Sequence, residues 1–158
     1  MALRGILAKY AAERPGAVKF VTKDYPLEPE CNPGMTVVVH QSACEGAAAV
    51  RMARLGGRGE AMEEWLYTHQ ATLTPAVVRE AARDVAQITD FDARYATTLS
   101  SIRIDVEFAL QIGIRVTPTF FINGVKVEGG LRPEYFDAAI RFEIRKADAA
   151  KAATGRPQ

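Results

Sequence analysis

Cys31, Cys44, His40 and His69 are the side chains of this sequence best suited to nucleophilic or metal-binding chemistry. The two cysteines do not form a Cys-x-x-Cys pair, and the four residues lack the regular spacing of a zinc site, so no metal ligand is assigned. Cys44 falls within Ser42-Ala43-Cys44-Glu45, which reads as a capping box opening a helix. A thiol in the first turn of a capped helix is one whose pKa falls, so Cys44 reads either as a reactive thiol or as an inert buried one. His40 precedes that helix start, where a structural hydrogen bond is the expected role, because no nucleophile lies at a readable distance. No phosphate-binding glycine loop, His-Glu-x-x-His or Gly-x-Ser-x-Gly occurs, and no cofactor is expected.

A second kind of chemistry is carried by backbone. Gly113 to Val127 reads as a loop, a proline, an apolar strand, a tight turn and a second strand. Phe120, Phe121 and Ile122 favour a strand, and Asn123-Gly124 supplies the two positive-φ positions of a type I′ turn. Val125 and Val127 then alternate with Lys126 and Glu128. Pro118 removes a ladder donor at the strand start and holds Thr117 extended. One reason for such a proline is a cis Thr117–Pro118 bond that presents backbone to a partner; an ordinary trans proline is the alternative.

The elements that must position these groups follow from periodicity. Leu3, Ile6, Leu7 and Tyr10 mark a helix ended by Pro15-Gly16, and Val18 to Thr22 alternates like a strand. Thr36 to Val39 suits a short strand or an extended linker. Helices are expected from Ser42 to Leu55, from Glu60 to His69 around Met62, Trp65 and Leu66, and after a Thr74-Pro75 start, with Met62, Trp65 and Tyr67 read as core of the helical insertion rather than as a cofactor box. Phe91 to Leu110 repeats every three or four residues as one long helix, or two joined near Ser100-Ser101, closed by Gly113. Pro133 opens a last helix through Phe136, Ile140 and Ile144, followed by a tail over 151–158. This order indicates an α/β arrangement with a helical insertion over about 42–112 in a single domain spanning 2–150. The chain has 158 residues, 48% of them hydrophobic, and a net charge of +1. That balance gives no nucleic-acid footprint, no apolar run suggests membrane insertion, and the first residues do not read as a secretory signal, so a cytoplasmic location is expected as encoded.

Val18 to Leu27, Cys31-Asn32, His40 with Ala43-Cys44-Glu45, Asp90-Phe91, Ile102 with Asp105, and above all Thr117 to Gly124 within Ile112 to Gly130 occur in the order of a known family. The chain resembles the DsbA-like branch of the thioredoxin fold, of the kind also fused to vitamin K epoxide reductase homologues. The resemblance implies a thioredoxin-like α/β fold with a helical insertion and a protein thiol–disulfide oxidoreductase lineage. It implies that Pro118 is the family's cis-proline and that Thr117, with Val116, faces an extended substrate peptide.

The departure is equally informative. In the family a Cys-x-x-Cys precedes the helix corresponding to residues 2–13, at the end of a central strand. Neither is found in this sequence, so no catalytic cysteine is assigned, and the chain is expected to be N-terminally truncated and inactive as encoded. The lost strand would leave residues 18–22 and 119–122 to pair with each other or with a donated strand. The resemblance also implies a structural disulfide between Cys31 and Cys44. The expected partners are extended or unfolded proteins and a redox partner such as a vitamin K epoxide reductase-like membrane protein. An extracytoplasmic location follows if the true start lies upstream. Two other functions remain open: a non-catalytic peptide-binding module, and a thiol enzyme using Cys31 and Cys44 themselves.

Overall fold

The computed structural model describes residues 2–154. In order they form α1 (Ala2–Glu13), α2 (Ala43–Leu55), α3 (Gly59–Thr68), a 3-10 turn at Gln70–Thr72, α4 (Pro75–Asp84), α5 (Phe91–Gln111), β1 (Thr119–Ile122), β2 (Val125–Glu128) and α6 (Pro133–Thr154). The contacts divide the chain into two compact units, one formed by Met1–Thr22 with Ile114–Gln158 and the other by Lys23–Gly113.

In the first unit α1 packs on α6, and the β1–β2 hairpin packs through β1 on α6. Tyr10 is buried, and its hydroxyl donates to Oδ1 of Asp137 at 3.0 Å. Lys9 reaches the same oxygen at 3.0 Å. The Lys9 ammonium, with the Tyr10 hydroxyl, holds the Asp137 carboxyl below the usual carboxylate range. Phe136 and Ile140 are the buried part of the α6 stripe, and Phe120 meets Phe136 edge-on, ring centroids 4.7 Å apart. That contact fixes the inner face of β1 to the helix.

The second unit is the helical insertion, built on α2 against α3, α4 and α5. Its core joins Ala48, Met52, Met62, Val78, Ala82, Ile102 and Val106 to the Cys31–Cys44 disulfide. The small α2 residues Ala48 and Ala49, both fully buried, let neighbouring helices approach closely. Thr74 caps α4 as its type dictates, accepting the N–H of Val77 at 3.2 Å ahead of Pro75. α5 is one continuous helix. Ser100 and Ser101 donate back to the carbonyls of Ala96 and Thr97 rather than breaking it.

Several expectations are revised. The second unit begins at Lys23. The segment before α2 belongs to it because it is tied down: Cys31 by the disulfide, Lys23 by Asp105 and Asp24 by Arg51. Val18 to Thr22 forms no strand, and the sheet of the described residues contains β1 and β2 alone. Residues 18–22 and 119–122 therefore do not pair with one another; β-propensity without a neighbouring ladder does not make a strand. Thr36 to Val39 is likewise irregular, leaving Val37, Val38 and Val39 exposed. Tyr67 is exposed rather than core. At the C-terminus α6 continues through Thr154, so residues 151–154 are helical where a tail is expected; 155–158 lie outside the described residues.

Candidate functional site

The loop Ile114–Pro118 begins where α5 ends. Ile112 caps α5, and Gly113 takes the left-handed conformation, φ 73°, that a helix C-terminus of this kind requires. Ile114 is then buried, and Arg115, Val116, Thr117 and Pro118 are all exposed. The Thr117–Pro118 peptide is cis. The Thr119 hydroxyl donates to the Val116 carbonyl across the proline, and the Gly129 N–H donates to the Pro118 carbonyl at 2.8 Å.

That last bond sets the register of the whole edge. β1 and β2 are antiparallel, with Thr119 opposite Glu128, Phe120 opposite Val127, Phe121 opposite Lys126 and Ile122 opposite Val125. Asn123 and Gly124, φ 47° and 86°, make the turn. Because Pro118 and Gly129 are joined, alternation makes Phe120 and Ile122 the residues that bond to β2. The N–H and C=O of Thr119 and Phe121 consequently point away from β2. Among the described residues no strand covers that edge. The Phe121 side chain is exposed beside it. Chemically, Val116–Pro118 and the outer edge of β1 form a strip of exposed apolar side chains and unpaired backbone groups of the kind that accepts an extended chain.

Cys31 and Cys44 belong to the other unit. They are bonded to each other, S–S 2.08 Å and Cα–Cα 5.9 Å, and both residues are wholly inaccessible to solvent. The surrounding loop is held by Asn32, also fully buried: its side-chain N–H donates to the Pro26 carbonyl at 2.7 Å, and its oxygen accepts the Gly34 N–H at 3.0 Å. Both sulfurs belong to fully buried residues, without the exposure that thiol exchange requires. Glu28, Glu30 and Cys44 place one ligand atom each within 4.8 Å of one another. With the sulfur of Cys44 committed to a disulfide, two carboxylates remain, short of the four ligands of a structural zinc site. His40 is exposed, and its backbone N–H donates to Leu27.

The capping box is corrected. Ser42 adopts φ 61° and makes no side-chain cap, and its buried hydroxyl has no hydrogen-bond partner. The α2 N-terminus is capped instead by Glu28, which accepts the N–H of Ser42 at 3.3 Å and of Cys44 at 2.9 Å. Glu45 is buried near Arg79, 3.6 Å away, and burial pushes its carboxyl above the usual value. Asp105, singled out only by its position in the resemblance, is the centre of a charge network. It accepts from Lys23 Nζ at 2.6 Å, from the Asp24 N–H at 3.3 Å and from Arg51, which also donates to Asp24 at 2.8 Å. Burial pushes the Asp105 carboxyl up, but these donors outweigh it and hold it below its ordinary range.

The order of elements, the cis-proline loop entering a hairpin, and a helical unit inserted before it define a thioredoxin-like α/β domain with a helical insertion. The family described as Thioredoxin matches residues 3–141, and the chain belongs to it. No curated protein and no solved structure matches the chain. Among the described residues no helix is long and apolar enough to cross a membrane.

Proposed function

We propose that this is a DsbA-type domain of protein thiol–disulfide exchange, in which the residues present here hold the polypeptide substrate. The substrate runs as an extended chain along the outer edge of β1, with Val116, Thr117 and Pro118 against it. The observation that carries this reading is the outward N–H and C=O groups of Thr119 and Phe121, unpaired by any strand of the described residues and flanked by exposed Val116 and Phe121. β-Strand addition to such an edge takes its affinity from main-chain hydrogen bonds, which suits a partner of varied sequence such as an unfolded protein.

The cysteines of this chain serve structure in this reading. Attack on a disulfide needs a thiolate with access, and both Cys31 and Cys44 are fully buried. Substrate binding is thus separated from electron exchange, which would pass through other thiols and a redox partner, with a membrane-bound vitamin K epoxide reductase-like protein the class the resemblance names. The bond itself belongs to an oxidising compartment. The test combines two assays on one preparation. Fluorescence anisotropy with labelled unfolded peptides is expected to show binding, and an insulin-reduction assay no turnover. Turnover that disappears in Cys44→Ser would replace this reading with a thiol enzyme using Cys31 and Cys44. Absence of peptide binding would remove it altogether.

A further inference from the structure

Resting on that reading of the β1 edge, we infer that the edge selects acidic extended segments, and that Arg115 is the residue that recognises them. The charges of the chain are segregated. The unit containing the edge, Met1–Thr22 with Ile114–Gln158, carries twelve Lys and Arg against six Asp and Glu. The helical unit Lys23–Gly113 carries eight against thirteen. A near-neutral chain therefore presents its substrate edge on a strongly positive body, and such a field favours encounter with negative partners.

Within that body most cations are already matched. Lys9 and Arg141 meet Asp137, Arg14 meets Asp148, Lys126 meets Glu128, Arg132 meets Glu134 and Lys146 meets Glu143. Among the described residues of the unit, Lys19, Arg115 and Arg145 have no ionic partner. Arg115 is the one of these in the candidate site, exposed and immediately before Val116-Thr117-Pro118. A chain laid along β1 and continued over this loop runs past position 115, whose side chain is exposed. A carboxylate there gains a planar, two-pronged hydrogen-bond partner, whereas an amide or ammonium does not. For a strand paired antiparallel to β1, the acidic residue falls toward the C-terminal end of the bound segment.

The test uses the full chain and three fluorescein-labelled Thr/Val-rich peptides identical except for Glu, Gln or Lys at the same positions. The Glu peptide is expected to bind about fivefold more tightly than the Gln peptide at low ionic strength, as one partly exposed ion pair allows, and the Lys peptide most weakly. Raising salt should shrink the Glu advantage as the Debye length contracts. Arg115→Gln should remove most of the Glu advantage over Gln, while Arg145→Gln, which alters the net charge of the unit equally, retains most of it. Binding without preference for Glu, or a preference undiminished by Arg115→Gln, overturns the inference and leaves the β1-edge reading standing. Failure of all three peptides to bind overturns both.

Discussion

The Glu28 carboxylate accepts the N–H of Cys44 at 2.9 Å, so a residue sixteen positions upstream caps the helix that carries the disulfide. The same loop is fastened to α2 twice, once by a carboxylate and once by sulfur. Glu28→Ala should cost about 1 kcal/mol, the usual worth of an N-cap. Ser42→Ala should cost close to nothing, because the Ser42 hydroxyl has no partner to lose. Ser42→Gly should stabilise slightly, since φ 61° favours glycine. Urea denaturation of the three variants checks the order. A larger loss for Ser42→Ala than for Glu28→Ala would restore the serine as the cap.

The Cys31–Cys44 bond closes a loop of sequence separation 13. Its removal in a Cys31→Ala, Cys44→Ala double variant should lower stability by about 3 kcal/mol through the unfolded chain. Because both residues are fully buried, reduction in the native state should be slow and should accelerate in denaturant. Mass-spectrometric counting of alkylated thiols during mild reduction measures this. Rapid labelling of the native protein would mark the pair as exchange-active.

Asp105 sets an acid limb. Its carboxyl is held below the ordinary range by Lys23, the Asp24 N–H and Arg51 against the opposing effect of burial. A carboxyl depressed in the folded state binds protons more weakly there than when unfolded. The stability it supplies is present above its unfolded pKa of about 4 and lost as pH falls through the lower folded value. Asp105→Asn should cost about 2 kcal/mol at neutral pH, less than a fully buried pair because Lys23 is more than half exposed. The variant should also flatten the loss of stability below pH 4. Unfolding measured across an acid pH series tests both, and an unchanged slope would place the linkage on other carboxylates.

Different parts of this molecule differ in how far local sequence reveals them. Thr74-Pro75, Asn123-Gly124 and Gly113 occupy the places their types suggest, because capping, type I′ turns and helix termination depend on a few adjacent residues. Residues 18–22 carry strand propensity yet form no strand, since a ladder needs a neighbour that propensity cannot supply. Ser42 and Glu45 match a capping box in spacing, but the chain enters α2 in a left-handed turn and a distant carboxylate takes the amides. The Val116–Pro118 loop was visible through its proline, whereas the role given to Arg115 rests on charges being matched around it, which only the tertiary arrangement reveals.

Phe121→Pro is the decisive variant for the candidate site. Alternation from the Gly129–Pro118 bond directs the Phe121 N–H away from β2, so proline there removes an outward donor while leaving the bonds of Phe120 and Ile122 to β2. Phe121→Ala removes the aromatic side chain but keeps the donor, separating side-chain contact from backbone pairing. If extended peptides add as a strand, Phe121→Pro should weaken binding about tenfold or more and Phe121→Ala by a smaller factor, a tenfold loss corresponding to about 1.4 kcal/mol. Far-ultraviolet circular dichroism and the urea midpoint should stay close to the parent in both, because the edge makes no internal ladder. Equal peptide affinity in Phe121→Pro and Phe121→Ala would mean that the outward Phe121 N–H contributes nothing, and parent-like affinity in both would move the binding surface off β1.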